Sequence, residues 1–486
     1  MSWQISRMKR KLRKMKRRDF LKTAVITGGV LAAGIGAKEI HDVVGRDFQP
    51  GRARRYLDSI EPSSLPGMLP NILVILCDDL GNGDLQSPAI ATPNLKQMAG
   101  DGMQLTNFYA PASVCSPSRA GLMTGRYPVR TLISTPLLST HDAMNVLMDV
   151  LGRYSYNVQG IPEDEVLLPE VLQRRGYRTG IVGKWHLGGT AGHIPNDRGF
   201  GSFYGALWSN DDQPYAIYRN REVVVPAPAD ENVLTRDFTL AAQDFIRSNA
   251  DHPFFLYLAH AMPHFPVHAS DEFRGKSMAG LYGDAVQEID WGVGQVFQTL
   301  EELGLKEKTL VIFSSDNGPW QEGNPGYQRG RKLTCFEGGF RVPFIARWPG
   351  MIPAGTVNTA MCINFDLFPT ALQLAGVTSP QDRIIDGMDI LSVLSGDQVS
   401  PHDSFYYYDT RTLVAMRHEH WKYFRRHTTD NGSYWPTKQG PFLFDLDTDP
   451  NESYSLIPSQ PARAAEMVRM LEAFEKEMKA NLRGWL

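Results

Sequence analysis

Continuous apolar runs of five or six residues recur along the chain, and each one ends abruptly in polar residues. The first occupies residues 71–76, and a second with the same pattern occupies residues 309–313. Runs of this length without alternation are typical of strands that are buried on both faces of a parallel sheet. We predict three further strands, at residues 179–183, 254–259 and 343–347.

Segments with a helical period lie between these runs. Within residues 284–303 the apolar positions recur at steps of four and three, which predicts an amphipathic helix with one apolar face formed by Ile289, Val293, Val296, Leu300 and Leu303. Strands and helices that alternate in this way indicate an α/β fold, with a large, predominantly parallel, doubly wound sheet flanked by helices. In such sheets ligands bind beyond the carboxyl ends of the strands.

The pattern changes after about residue 400, where short apolar stretches alternate with turn residues. We predict antiparallel strands at residues 405–408, 413–416 and 421–424, followed by a helix whose apolar stripe packs into the core through Met467, Leu471, Phe474 and Met478. The chain is therefore expected to contain four parts: residues 1–37 as a signal peptide, 38–69 as a leader or linker, 70–400 as the main α/β domain, and 401–486 as a smaller α+β subdomain with an antiparallel sheet and a helix.

Charge is distributed unevenly along the 486 residues. Residues 1–22 contain ten Lys and Arg but only one acid, and residues 23–37 carry no charge. The sequence RRDFLK at 17–22, followed by this apolar stretch, resembles a twin-arginine export signal that is cleaved near Ala37. A basic amphipathic or nucleic-acid-binding arm is the alternative interpretation. Without residues 1–37 the net charge changes from −3 to about −12, which argues against nucleic-acid binding by the rest of the chain.

We therefore expect a protein that uses the twin-arginine export machinery and is periplasmic or secreted. An uncleaved signal would leave it tethered to the membrane.

Two pairs of oxygen ligands follow two of the apolar runs. Asp78-Asp79 comes after the first run, and Asp316-Asn317 comes after the second. Carboxylate and amide oxygens suit Ca²⁺ or Mg²⁺, whereas a zinc site would favour His or Cys. The four residues close equivalent strands, so we predict that they form one divalent-cation site. A cage built mostly from protein carboxylates favours Ca²⁺, and Mg²⁺ stays open as the alternative.

The most distinctive segment is CSPSRAGLMTGR at residues 115–126, which opens with Cys115 and carries Arg119 four residues later. It resembles the signature of the type I sulfatases of the alkaline phosphatase superfamily, and the similarity to arylsulfatase A-like enzymes covers about residues 70–460. In that family a formylglycine-generating enzyme converts the cysteine to Cα-formylglycine, and the hydrate of this aldehyde attacks sulfur. The resemblance implies an exported sulfatase that releases sulfate from sulfate monoesters. Cys115 would be its modified nucleophile and would share the metal with Asp78, Asp79, Asp316 and Asn317.

Other motifs of the family occur in the expected order. GKWHLG at 183–188 implies that Lys184 anchors the nucleophile or the sulfate and that His186 is the base for the elimination step. HAMPHFP at 260–266 implies that His264 binds substrate close to the leaving-group oxygen, with His260 and His268 as supporting or surface residues.

Three further residues are predicted to contact the nucleophile or the sulfate. RKLTCFEGG at 331–339 resembles a family element that places Lys332 on the sulfate, although the adjacent Arg331 leaves the register open. Arg119 lies one helical turn beyond Cys115, so its guanidinium is expected to reach back to a formylglycine oxygen. Ser209 is a weaker match to a hydroxyl ligand of the sulfate.

One segment departs from the family pattern. Residues 131–164 are longer than the expected connection and contain His141, Arg153, Tyr154 and Tyr156. The segment leaves the nucleophile helix, so we hypothesise that it rims the pocket and sets substrate choice. An ordinary surface excursion is the alternative.

Two other functions stay open at this point. One is a phosphonate or phosphate ester hydrolase of the same superfamily, and the other is a non-catalytic protein that binds sulfated glycans. The sequence does not choose among lipid, steroid, tyrosine and carbohydrate sulfates, between exo and endo action, or among oligomeric states.

Overall fold

The structure is a computed structural model that describes residue 49 and residues 51–139, 160–428 and 438–486. The predicted signal peptide and four residues of the 131–164 segment (His141, Arg153, Tyr154 and Tyr156) lie outside the described residues. The helices are α1 Arg52–Asp58, α2 Pro93–Gly100, α3 Cys115–Thr124, α4 Leu168–Arg175, α5 Leu234–Ser248, α6 Gly280–Glu302, α7 Glu337–Phe340, α8 Leu367–Leu374, α9 Leu391–Leu394 and α10 Pro461–Ala480. The strands are β1 Asn71–Cys77, β2 Met103–Leu105, β3 Phe108–Tyr109, β4 Arg178–Lys184, β5 Ser202–Ala206, β6 Ile217–Arg219, β7 Glu222–Val225, β8 Phe254–Ala259, β9 Thr309–Ser315, β10 Phe344–Arg347, β11 Thr356–Asn358, β12 Cys362–Ile363, β13 Ser404–Asp409, β14 Thr412–His418, β15 Trp421–Phe424, β16 His427–Thr428, β17 Lys438–Gln439 and β18 Phe442–Asp445.

A ten-stranded sheet forms the centre of the molecule, in the order β11-β2-β10-β9-β1-β8-β4-β5-β6-β7. The five middle strands, β9-β1-β8-β4-β5, are parallel to one another. Antiparallel strands flank them, β10 on one side and β6 and β7 on the other. The predicted α/β fold with a large, mostly parallel sheet is confirmed.

The apolar runs form central strands because both faces of the sheet are covered. Every residue of β1 is buried. Its alternate residues enter two separate cores: Val74 packs with residues of α3, α4 and α8, whereas Ile75 packs with residues of α2, α5 and α6. Because an apolar core covers each face of β1, its side chains are apolar on both faces and do not alternate with polar ones. This explains the continuous apolar run.

The amphipathic helix predicted at 284–303 is α6, and it begins four residues earlier than expected. Four of its five predicted apolar positions are buried. Leu303 lies just beyond the last turn and is 37% exposed. Among the described residues, no helix combines the length and the apolar character that a membrane crossing requires.

A separate four-stranded antiparallel sheet, in the order β13-β14-β15-β18, lies in the C-terminal part of the chain. Helix α10 packs against it through the predicted stripe, in which Met467, Leu471 and Met478 are buried and Phe474 is partly buried. The ring of Phe474 stacks on Tyr406 with centroids 3.5 Å apart. This third apolar core agrees with the predicted small antiparallel sheet, and the exact domain boundaries stay a prediction.

Candidate active site

The carboxyl ends of four adjacent parallel strands meet at one edge of the central sheet. Strand β1 runs into Asp78 and Asp79, and β9 runs into Asp316 and Asn317 with Cys77 in register with Ser315. Strand β4 ends at Lys184, and β8, which leads to His264, lies between β4 and β1. This parallel register brings side chains together that are separated by more than 200 residues in the sequence.

Cys115 begins α3 and is 3% exposed. Its Sγ lies 3.2 Å from Oδ1 of Asp78 and 3.5 Å from Nζ of Lys332. Burial raises the pKa of the Cys115 thiol well above its usual range, and the charge of Asp78 raises it further. The residue is therefore a neutral thiol, which is a poor nucleophile.

Two lysines approach this position from different parts of the chain: Lys184 is completely buried, and the side chain of Lys332 is 11% exposed. Lys184 Nζ contacts Oδ2 of Asp78 and donates to Oγ of Ser209 at 2.9 Å. Lys332 Nζ donates to Oδ2 of Asp79 at 2.9 Å. Arg331 instead donates to the carbonyl oxygens of Trp320 and Gly323, away from Cys115. The structure thus resolves the register in favour of Lys332, and it brings Ser209 beside Lys184.

Arg119 lies fully buried among the acids. Its Nε and Nη2 donate to Oδ2 of Asp316 at 3.0 and 2.8 Å, and its Nη1 donates to the carbonyl oxygen of Lys184 at 2.9 Å. Nη2 also lies 3.3 Å from Oδ2 of Asp78. The guanidinium therefore orients the acids in this structure. Its contact with a formylglycine oxygen stays a prediction because residue 115 carries a thiol here.

His186 faces the beginning of the 131–164 segment. Its Nε2 lies 2.7 Å from the carbonyl oxygen of Leu137, so Nε2 carries the hydrogen. Its Nδ1 is buried and has no hydrogen-bond partner among the described residues. Burial, with Lys184 and Arg119 nearby, lowers the pKa of His186 well below its usual range. The ring is therefore neutral and has a free lone pair on Nδ1, as a base requires.

His264 lies beside Asp79 and Asn210. Its Nδ1 is 2.9 Å from Oδ1 of Asn210, and its Nε2 is 3.7 Å from Oδ2 of Asp79. Burial, reinforced by the charge of Lys332, lowers the pKa of His264 well below its usual range. Of the other two histidines, His260 is completely buried and therefore not a surface residue, whereas the His268 side chain is 28% exposed.

The acids are arranged as a site for a cation. Ligand atoms of Asp78, Asp79, Cys115 and His264 lie within 4.8 Å of one another. Oδ1 of Asn317 is buried and has no hydrogen-bond partner among the described residues, so it offers an oxygen that a bound cation would satisfy. Burial raises the pKa of Asp79 to about 7 despite the opposing charge of Lys332. The residues fit a hard divalent cation, with the oxygen donors that Ca²⁺ and Mg²⁺ prefer.

The predicted ligand set and the cluster of Asp78, Asp79, Cys115 and His264 are not identical. The sequence motifs did not identify His264 as a neighbour of the cation site. Asp316, which was predicted as a ligand, uses Oδ2 for Arg119 and accepts the backbone N–H of Asp79 on Oδ1 at 3.3 Å.

Close backbone packing explains two glycines of the site. Gly183 has φ of +109°, and a Cβ there would lie 1.8 Å from the carbonyl oxygen of Ala259. A Cβ on Gly318 would lie 1.9 Å from the carbonyl oxygen of Gly338. Side chains at these positions would force apart the strand ends that carry the site.

The sequence analysis did not identify the residues that hydrogen-bond to the predicted site residues and hold them in place. Asn210 holds His264, and the hydroxyl of Tyr282 donates to Oδ2 of Asp84 at 2.6 Å and lies 3.3 Å from the carbonyl oxygen of Asp79. Asn210 is adjacent to Ser209 in the motif WSND, so the sequence offered a basis for including it among the site residues. Tyr282 lies 203 residues from Asp79, and nothing local indicated the contact.

Comparisons with known proteins agree with this geometry. A family model described as Sulfatase matches residues 70–377, and one described as N-sulphoglucosamine sulphohydrolase, C-terminal, matches residues 327–480. The N-acetylgalactosamine-6-sulfatase of Homo sapiens is 37% identical over 457 residues, covering 85% of this chain and 86% of that protein. Arylsulfatase A of Bos taurus is 36% identical over 461 residues, covering 84% and 87%. The solved structure of Ps i-CgsB in complex with k-i-k-neocarrahexaose is 29% identical, with a TM-score of 0.73, and covers 84% of this chain and 92% of that one.

Proposed function

The chain belongs to the sulfatase family and is a sulfuric ester hydrolase, and on this premise we propose that it cleaves sulfate monoesters with a formylglycine formed from Cys115 and a bound divalent cation. The position of residue 115 carries the proposal. Its Sγ lies 3.2 Å from Asp78 and 3.5 Å from Lys332, within a buried group of acids and cations. A neutral thiol at this position is a poor nucleophile. Conversion to an aldehyde would supply a hydrate that can attack sulfur.

The two groups that the site would hold have defined chemistry. A formylglycine supplies a hydrated aldehyde as a nucleophile that regenerates itself after each turnover. A divalent cation polarises the sulfate group and offsets its negative charge. Asp78, Asp79 and Asn317 would hold the cation, with Asp316 beside them, and we propose Ca²⁺ because the donors are mostly protein oxygens.

The cationic side chains of the site suit a tetrahedral anion. Lys184 and Lys332 approach residue 115 from two sides, and Ser209 fixes the ammonium group of Lys184 through its hydroxyl. Flexible ammonium groups adapt to the oxygens of a sulfate. We assign them to binding the sulfate and to stabilising the charge that develops on it.

Two histidines would transfer protons in different steps of the reaction: one accepts a proton from the modified residue, and the other donates a proton to the leaving group. Nδ1 of His186 has no hydrogen-bond partner within the described ranges, and it would accept a proton from the hydroxyl of the modified residue. His264 presents Nε2 toward the acids and would protonate the leaving alcohol oxygen. Its pKa is low in the free site, but a bound sulfate monoester adds negative charge nearby and favours the protonated imidazole.

We propose a sulfated saccharide as the substrate class. Support comes from N-acetylgalactosamine-6-sulfatase as a relative and from a neighbouring structure that holds an oligosaccharide. A phosphonate or phosphate ester hydrolase remains the competing activity, and a panel of matched aryl sulfates, aryl phosphates and sulfated sugars separates the two. Higher kcat/KM on the phosphate esters than on every sulfate would overturn the proposal.

We also propose export by the twin-arginine machinery, after folding and modification. The support is the sequence of residues 17–37, which lies outside the described residues. The double variant R17K/R18K should remain in the cytoplasm, whereas R10K/R13K in the same basic tail should be exported normally. Equal export of both variants would remove this proposal.

Intact-mass analysis tests the central proposal. Protein produced with a formylglycine-generating enzyme should be lighter than the thiol form by about 18 Da, and the modified fraction should account for the activity. The C115A variant is the control and should show neither change. An active chain that retains a plain thiol at residue 115 would contradict the proposal, and an unmodified, inactive chain that binds sulfated glycans would favour the non-catalytic alternative.

A further inference from the structure

A buried chain of polar side chains extends outward from His264. Asn210 is completely buried, and its Oδ1 lies 2.9 Å from Nδ1 of His264. On its other side Asn210 contacts Glu231 and the backbone of Pro266. The sequence motifs pointed to none of these three contacts.

The orientation of the Asn210 amide follows from its other partners. Its Nδ2 lies 2.9 Å from the carbonyl oxygen of Pro266 and 3.2 Å from Oε2 of Glu231. Both partners only accept hydrogen bonds. Rotation of the amide by 180° would place its oxygen against two acceptors in a buried place, at the cost of an unsatisfied polar group. Oδ1 must therefore face His264.

This orientation decides which nitrogen of His264 carries a hydrogen. An amide oxygen can only accept, so Nδ1 of His264 must be the donor. The hydrogen stays on Nδ1 whether the ring is neutral or protonated. Nε2, which lies 3.7 Å from Oδ2 of Asp79, is then the nitrogen that carries no hydrogen in the neutral ring.

Glu231 is itself held in place. Nε2 of Gln213 donates to Oε1 of Glu231 at 3.1 Å and to the carbonyl oxygen of Asn210 at 2.9 Å. The Glu231 side chain is 10% exposed. A fixed carboxylate next to the amide makes the rotated orientation of Asn210 unfavourable, since two oxygens would then be in contact.

We propose that Asn210 is a positioning residue of the reaction and that Glu231 sets its amide orientation, so that His264 keeps a hydrogen on Nδ1 and presents Nε2 to the leaving-group oxygen. The role in catalysis rests on the proposed function, whereas the tautomer of His264 does not. The relay Glu231–Asn210–His264 thus determines where the proton for the departing alcohol is held.

The leaving group of the substrate reveals whether the relay works. Expulsion of phenol depends on proton donation, whereas expulsion of 4-nitrophenol needs little help. The N210A variant should therefore lose kcat/KM on phenyl sulfate by about 10- to 100-fold. On 4-nitrophenyl sulfate it should lose about threefold or less. The D211N variant changes an exposed neighbour and is the matched control.

The comparison of the two leaving groups decides the catalytic role of Asn210. An equal loss on both aryl sulfates in N210A would overturn that role.

Nitrogen-15 spectra of ring-labelled histidine give a readout that needs no activity. The signals missing in H264Q identify His264, and the wild-type protein should show the hydrogen on Nδ1. In N210A this preference should be lost. A hydrogen on Nε2 of neutral wild-type His264 would overturn the inference. If the wild-type protein cleaves no sulfate ester, the proposed function fails, and the spectra still decide the tautomer.

Discussion

Nδ2 of Asn317 donates to Oδ1 of Asp79 at 2.6 Å and joins two strand ends that are 238 residues apart. This bond turns the amide so that Oδ1 of Asn317, which is buried and has no hydrogen-bond partner in the described part of the chain, is left as an oxygen donor for a cation. The hydrogen bond to Asp79 therefore fixes the orientation of the Asn317 amide as well as joining the two strand ends.

Replacement of Asn317 should weaken cation binding. We expect N317A to bind Ca²⁺ at least about tenfold more weakly, because it loses one ligand and frees the Asp79 carboxylate. The rise of Tm with Ca²⁺ concentration in the chelator-treated protein measures the affinity. The exposed residue Asn451 supplies the control N451A, which should titrate like the wild-type protein. An unchanged affinity in N317A would exclude it as a ligand.

Lys332 should matter for turnover more than for folding. The K332A variant removes the ammonium group 3.5 Å from Sγ of Cys115, and we expect kcat/KM on an aryl sulfate to fall by about 10²- to 10³-fold. Lys308 is exposed and lies just before β9, at the end of the strand opposite to Asp316, so K308A is the control. A K332A enzyme within about twofold of the wild type would show that the lysine does not contact the reacting sulfate.

Glu165 should make stability depend on pH in the acid range. Burial alone would raise the pKa of Glu165, but Arg126, Arg483 and Arg383 outweigh it and lower this pKa to about 2. The folded value lies below the ordinary value of 4.5, so the stabilisation is complete above pH 4.5 and is lost as the pH falls toward 2.

The E165Q variant tests this sign. It should lose about 3 kcal/mol of unfolding free energy at pH 7, and its difference from the wild type should shrink as the pH falls below 4.5. Urea unfolding at several pH values measures the difference. E466Q, in an exposed ion pair, should change stability by less than about 1 kcal/mol at every pH. A deficit of E165Q that stays constant with pH would contradict the assignment.

A buried group of three charged side chains joins the small antiparallel sheet to residues 331–339, the segment that carries Lys332. Nζ of Lys422 lies 2.9 Å from Oε1 of Glu337 and 2.8 Å from Oε1 of Glu452. The K422M variant should therefore lose about 3 to 5 kcal/mol, because two buried carboxylates lose their cation. R463M, which breaks an exposed pair, should cost less than about 1 kcal/mol in the same urea unfolding experiment. Equal losses of unfolding free energy in K422M and R463M would mean that the buried contacts of Lys422 contribute no more to stability than an exposed ion pair.

Local sequence patterns predicted most of the elements that build the site. The apolar runs at 71–76 and 309–313 became β1 and β9, and the acids after them meet because parallel strands end at the same edge. Cys115, Lys184 and His264 came from longer motifs, and the structure places all three around the same acids. These predictions succeeded because periodicity and short motifs are properties of neighbouring residues.

Predictions that depended on a contact between distant residues were less complete. The sequence assigned Lys332 to the sulfate but left some doubt about the register because Arg331 is adjacent, and only the loop geometry shows that Arg331 turns toward backbone carbonyls. It placed Arg119 against residue 115, whereas the hydrogen bonds of its guanidinium go to Asp316 and Lys184. His260 was left as a supporting or surface residue, and the structure buries it completely.

The sequence by itself determined the family, the fold class, the order of the strands and helices in the chain, and the chemical types that gather at the sheet edge. Only the tertiary structure decided which donor meets which acceptor: Asn210 with His264, Asn317 with Asp79, and Lys422 with Glu337. The physical reason is the range of the interactions. Backbone periodicity is set by adjacent residues, whereas a hydrogen bond across the core requires that every element between its two partners has already taken its place.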